Sequence, residues 1–145
     1  MLILAQKGAN MNKLILNFLL LSLSISCGSG LKLKPLSNLE GNVTPDGVKI
    51  SQVRKAILRG GASKGWMVKK TKKKNEYMAT ISVRKHRVDV LIPYSRKSFS
   101  INYKDSENMN YNDKKKLIHR NYFRWVVNLR KEITKELLLI SANAK

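Results

Sequence analysis

The sequence predicts an α+β domain: a four-stranded antiparallel meander with an N-terminal helix and a long C-terminal helix packed on one face, in the order α-β-β-β-β-α. Three patterns carry that expectation. Apolar and polar residues alternate between Trp66 and Tyr103, the period of strands with one buried face. Near the C-terminus Ile118, Tyr122, Trp125, Val126, Leu129, Ile133 and Leu137 recur at helical spacing. A shorter stripe of the same period, Ile50, Val53, Ile57 and Leu58, precedes the strands.

The chain opens with a leader. Asn12-Lys13 is followed by an apolar block from Leu14 to Ile25 and then by Ser26-Cys27-Gly28. A helix that crosses a bilayer needs roughly 20 apolar residues, so this shorter block with its charged start reads as a secretory signal rather than an anchor. The run Leu23-Ser24-Ile25-Ser26-Cys27 resembles the lipobox of bacterial lipoproteins, with Ser24 where that family most often has Leu. The resemblance implies diacylglycerol on the Cys27 sulfur, cleavage between Ser26 and Cys27, and Cys27 as residue one of the mature protein. By the same resemblance Gly28 favours the outer membrane, since an Asp in that place favours the inner one, with the domain facing the periplasm. A start at Met11 gives the more usual leader Met-Asn-Lys-Leu.

Residues 1–26 are therefore expected to be removed, residues 27–47 to form a lipidated flexible tether, and residues 48–141 to fold as one α+β domain. Of 145 residues, 119 remain after cleavage, enough for one small core. The single cysteine rules out an intramolecular disulfide. With only Cys27, His86 and His119 as soft or borderline ligands, a zinc cluster is excluded and no cofactor is expected.

The whole chain has 29 basic and 9 acidic side chains, and the part after the leader keeps 27 and 9, a charge of +18. Such an imbalance suits an anionic partner. A plainer source is a lysine-rich solvated surface, since 21 of the basic residues are Lys, a point charge that discriminates poorly among anions.

Gly28, Gly30, Pro35, Gly41, Pro45 and Gly47 punctuate the expected tether. As a coil its ends would lie on the order of 25 Å apart. Lys32 and Lys34 would sit near acidic lipid head groups. The first helix begins near Ser51 and is expected to stop at Gly60-Gly61, where glycine tolerates the left-handed closing conformation. Gly60-Gly61 with Ser63-Lys64-Gly65 lacks the order of a phosphate loop.

Trp66-Met67-Val68 opens the first strand, which runs into Lys69, Lys70, Lys72, Lys73 and Lys74, the expected contacts for an anionic surface. Asn75 turns the chain into a second strand carrying Tyr77, Ala79, Ile81 and Val83. A tight turn at Lys85-His86 leads to a third with Val88, Val90 and Ile92, closed by Pro93. Ser95-Arg96-Lys97 turns into a fourth with Phe99, Ile101 and Tyr103. Residues 105–112 read as a loop, with Asn112 or Asp113 as N-cap of the last helix. Trp125 is expected to bury on the order of 200 Å² in the core.

The runs Ala79-Thr80-Ile81-Ser82-Val83-Arg84-Lys85-His86, Val90-Leu91-Ile92-Pro93-Tyr94, Ser100 to Ser106, Ile118 to Tyr122 and Trp125 to Leu129 resemble a group of small proteobacterial lipoproteins of unknown function. The likeness covers Ile50 to Leu137 and implies one α+β domain behind a lipid anchor. It implies no catalytic or ligand-binding residue. Lysine-rich Lys69–Lys74 and Lys114–Lys116 depart from it.

Few residues carry chemistry. His86, beside a turn among Arg84, Lys85 and Arg87, is expected to bond backbone, and His119 to pack on the sheet. A triad of either histidine with Asp105 and Ser106 lacks a Gly-x-Ser-x-Gly elbow. Tyr94, Tyr103, Tyr111 and Tyr122 could gather into a polar aromatic patch. Two functions fit. One is a non-catalytic, membrane-anchored module facing lipopolysaccharide, peptidoglycan or an envelope protein. The other is a cytosolic nucleic-acid binder with a misread start, a basic sheet whose aromatics stack bases.

Overall fold

The computed structural model describes residues 32–143; Ser26, Cys27 and the expected leader lie outside them. Among the described residues nine elements follow one another. They are β1 (Leu33–Pro35), β2 (Leu39–Val43), α1 (Ile50–Ser63), β3 (Met67–Lys70), β4 (Glu76–Val83), β5 (His86–Pro93), β6 (Ser98–Glu107), β7 (Leu117–His119) and α2 (Asn121–Ala142). The class is α+β with antiparallel sheets. The expected meander is present as β3 to β6, but β2 adds a fifth strand beyond β6, giving the order β2-β6-β5-β4-β3. β1 and β7 form a separate two-stranded ribbon.

Alternation sets the register. Tyr77 faces Ile92, Ala79 faces Val90 and Ile81 faces Val88, and all six side chains are buried on one face. Val90 in turn faces Tyr103, while Asp89 faces Asp105, so Lys104 is the extra residue of a bulge in β6. Val53, Ala56 and Ile57 of α1 and Tyr122, Val126, Leu129, Ile133 and Leu137 of α2 complete one continuous core with that face. The helices run antiparallel at their contact, where Arg59 reaches Glu136 at 3.9 Å and Lys64 reaches Glu132 at 3.1 Å.

Five expectations are corrected. The segment expected to be a free tether is built into the fold from Leu33 onward. Leu33, Lys34 and Pro35 pair with His119, Ile118 and Leu117, and β2 pairs with β6. Gly and Pro broke the sequence pattern there, yet Gly41 takes the left-handed φ of +65° beside a register shift in β2 that only such a residue accommodates easily.

Gly60-Gly61 does not end the first helix. A Cβ on Gly60 would lie 2.7 Å from the Ile133 backbone nitrogen, so this glycine is the point where α1 lies against α2. The helix closes at Gly65, φ +75°, with Trp66 N–H donating to Gly61 O at 3.0 Å and Gly65 N–H to Ala62 O at 3.0 Å. That pair of bonds is a Schellman closure.

The last helix starts at Asn121, after β7 has claimed Ile118 and His119 for pairing with β1. Asn112 caps nothing helical; its side-chain oxygen accepts from Lys115 N–H at 2.9 Å within a turn. The expected loop 105–112 is strand as far as Glu107. Trp125 is only partly buried at the edge of the core, and Tyr122, fully buried, takes the central place among the aromatics of α2.

Candidate functional site

Five lysines in six residues share one short edge strand and its turn, and the strand's pleat divides them. Lys69 faces Met78 and Lys70 faces Tyr77, so their side chains leave opposite faces of the sheet. Lys70 joins Lys72, Lys73 and Lys74 around an open cleft of about 630 Å³; Lys69 does not line it. Arg54, one turn into α1, supplies a fifth cation, and Ile50, Thr71, Asn75, Glu76 and Tyr94 complete the wall.

The turn is fixed locally. Asn75 adopts φ +57°, a conformation Asn tolerates better than most residues. Thr71 Oγ1 donates to a Glu76 carboxylate oxygen at 3.0 Å and accepts from Lys73 N–H at 3.1 Å. Glu76 also sits 3.7 Å from Lys73 Nζ, which neutralises part of that charge. Among the described residues Arg54, Lys70, Lys72 and Lys74 form no ion pair. Against the single carboxylate the cleft therefore keeps a strong positive excess, whose field adds across a concave wall.

Tyr94 forms the aromatic side of the cleft, stacked on buried Tyr77 with ring centroids 5.5 Å apart. Its phenol is raised above the ordinary range, first by desolvation and then by the neighbouring Tyr77, with Arg54 opposing. Tyr94 thus stays neutral at physiological pH and can donate a hydrogen bond. Mobile ammonium groups around one guanidinium and one phenol suit spread negative charge, such as phosphates or carboxylates in series. Arg54 could not be assigned from sequence, because its place beside the lysines depends on how α1 packs on the sheet.

The other expected residues go elsewhere. His86 Nδ1 bonds the Asn108 carbonyl at 2.7 Å, as a turn histidine should. His119 does not pack on the sheet from a helix; it stands on β7 and accepts from Asn121 N–H at 3.2 Å, serving the first N–H of α2. The two imidazoles stack with centroids 6.1 Å apart, and Trp125 tilts against His86 at 6.5 Å. Asp105 accepts from Arg87, and Ser106 Oγ pairs with Tyr103 Oη at 3.0 Å, so these residues do not form a triad with either histidine. Tyr103, Tyr111 and Tyr122 do gather, at 4.8 and 5.6 Å from Tyr103, whereas Tyr94 belongs to the lysine cleft. Among the described residues no group of three or more His, Cys, Asp or Glu could hold a metal ion.

Sequence reading also missed a charged network on the outer face of the sheet. Arg87 reaches Asp89 at 2.8 Å, Glu107 at 2.8 Å and Asp105 at 3.2 Å, and Thr80 donates to buried Asp89 at 2.6 Å. The signal was present in the alternation, since Thr80, Arg87, Asp89 and Glu107 all fall on the polar side of their strands. Only the register shows that they converge. These five side chains bond chiefly to one another, leaving Arg87 Nε without a partner among the described residues, and they read as a structural clamp across β4, β5 and β6 rather than an open site. Comparison with family models, with curated proteins and with solved structures finds no match to this chain.

Proposed function

We propose that the protein is a lipid-anchored, non-catalytic module of the bacterial envelope, attached through Cys27, whose lysine cleft holds an anionic envelope component. The observation that carries the second half is the convergence of Arg54 with Lys70, Lys72, Lys73 and Lys74 on one concave wall that has a single acid, Glu76. Lipopolysaccharide phosphates and peptidoglycan carboxylates both offer the repeated negative charge that such a wall attracts. The first half is supported by the sequence Leu23 to Cys27 and its small residue before the only thiol. Acyl chains contribute about 0.8 kcal/mol per buried methylene, so two or three of them hold a protein at a membrane for good.

Labelled palmitate tests the anchor: the parent chain incorporates it and Cys27→Ser does not. Label retained by Cys27→Ser would end that half of the proposal. For the cleft, the full chain is bound to immobilised lipopolysaccharide and to peptidoglycan over a range of salt. Arg54→Gln with Lys70→Gln, Lys72→Gln and Lys74→Gln is expected to lower retention at least tenfold and to flatten its salt dependence. Equal retention by parent and variant would show that the cleft is not the contact. Unlabelled protein in the cytosol that copurifies with RNA would favour the nucleic-acid reading instead.

A further inference from the structure

A concavity of about 710 Å³ lies at the other side of the sheet, between edge strand β2 and the C-terminal half of α2. Three of the most exposed apolar side chains in the domain meet there: Val43 at 77%, Leu138 at 57% and Leu139 at 51%. A monomeric domain rarely gathers its exposed apolar groups in one place without a use for them. Asn42 and Thr134 are its neutral polar members, and its charged members are all basic. Arg130, Lys131 and Lys135 line it and no carboxylate does, although Lys135 lies 3.8 Å from Glu132 outside the groove.

We propose that this groove and its rim form a docking face for an anionic leaflet, with Val43, Leu138 and Leu139 entering the boundary between head groups and acyl chains. Arg130, Lys131 and Lys135 then meet lipid phosphates. The complementarity is twofold, an apolar floor for the acyl region and a one-signed basic rim for the head groups, which is the chemistry of helices that lie in a membrane interface. A protein partner would need acids matched to each of three cations, whereas an anionic leaflet supplies phosphates wherever the rim touches it.

The fold gives this face a consequence. β2 and β3 are the two opposite edges of the five-stranded sheet. At about 4.8 Å between neighbouring strands they stand roughly 19 Å apart. With the β2 edge on the lipid, the lysines of β3 and its turn point away from the membrane, where the anionic component proposed above would be reached. That orientation rests on the lysine-cleft reading, but the docking face itself depends neither on the cleft nor on acylation of Cys27.

The test uses the full chain carrying Cys27→Ser, so that one introduced cysteine takes an environment-sensitive fluorophore. Leu139→Cys places the probe in the groove at a half-exposed position that the core does not need. Met67→Cys places it on the opposite edge, where Met67 is 59% exposed. Vesicles of phosphatidylglycerol and phosphatidylcholine in equal parts are compared with pure phosphatidylcholine. The apolar leader acts on both labelled chains alike, so the difference between probes isolates the face. The probe at 139 is expected to shift to the blue and brighten with the anionic vesicles only, while the probe at 67 stays water-like. Neutralising the rim with Arg130→Gln, Lys131→Gln and Lys135→Gln should raise the lipid concentration at half-response roughly a hundredfold.

A probe at 139 that stays water-like on anionic vesicles overturns the proposal, and so does an equal response from both probes. A blue shift without vesicles that grows with protein concentration would assign the groove to a second copy of the chain and equally overturn it. Failure of palmitate labelling, or of binding to lipopolysaccharide, leaves this measurement unchanged.

Discussion

Tyr122 carries the sharpest tension between packing and polarity in the domain. Its ring is fully buried, 5.6 Å edge-on to Tyr103 and 5.2 Å from Phe123, yet its hydroxyl has no hydrogen-bond partner among the described residues. Burial, reinforced by the charge Tyr103 would carry, pushes its phenol far above the ordinary range, so the group stays neutral. An unsatisfied buried hydroxyl costs about 1–3 kcal/mol, while the ring contributes the bulk of the contact. Tyr122→Phe should therefore leave the melting temperature unchanged or raise it, and Tyr122→Ala should cost about 3–5 kcal/mol by denaturant unfolding. A clear drop in Tyr122→Phe would mean that the hydroxyl is bonded in solution, through an ordered water for example. Trp125, which the helical spacing placed on the same stripe, is only partly buried. Spacing gives the direction of a side chain to within one helical step, and the depth of the core at that step belongs to the sheet.

At the scale of elements, the contact between α1 and α2 decides stability, and it rests on a residue with no side chain. In an exposed helix Gly→Ala gains about 1 kcal/mol, but the added methyl at Gly60 would stand 2.7 Å from backbone, which cannot turn aside. Overpacking of that kind costs about 1–3 kcal/mol, so Gly60→Ala should destabilise the domain. Gly61→Ala meets only the Val68 Cγ2 methyl, at 2.5 Å, a side-chain tip that can move. A Gly60→Ala chain as stable as the parent would show that the helices do not approach this closely in solution. The same contact predicts an acid dependence. Glu132 holds its carboxyl below the usual range chiefly through the hydrogen bond from Lys64 on α1. A depressed carboxylate stabilises above its ordinary pKa, near 4.5, and loses that contribution as pH falls through the folded value. Glu132→Gln should melt slightly below the parent at neutral pH, with the gap closing on acidification below about pH 4.5. How much of this was legible in the sequence follows from range. The alternation of β4 and β5 and the stripe of α2 are local and could be read. The Gly60 contact, the pairing of β1 with β7 and the arrival of Arg54 beside the lysines join residues far apart in the chain, where no period records them.

For the whole molecule, the number of residues between the proposed anchor and the fold sets what the domain can reach. Twenty residues were expected between Cys27 and the domain, but the described fold begins at Lys32, whose carbonyl accepts from Arg120 N–H at 3.1 Å, and strand pairing follows from Leu33. The five residue steps from Cys27 to Lys32 span at most about 17 Å when fully extended. With Cys27 lipidated as proposed, a domain on so short a leash would stay within about its own width of the bilayer, and the β2 edge, twelve residues after that cysteine, would sample the surface. Short leashes raise effective concentration, which falls roughly as the −3/2 power of length once the span is covered. Inserting about fifteen Gly/Ser residues between Gly30 and Leu31 makes the leash about four times longer and lowers that concentration roughly eightfold. With Cys27 acylated as proposed its sulfur is blocked, so Leu139→Cys is the single free thiol, and its rate of reaction with a bulky membrane-impermeant maleimide would report how often the proposed docking groove leaves the lipid. That rate should rise several-fold in the lengthened chain, while a thiol at Met67→Cys reacts equally in both. Equal rates at position 139 would mean that the leash does not hold the groove to the membrane, and the exposed Val43, Leu138 and Leu139 would then need another cover.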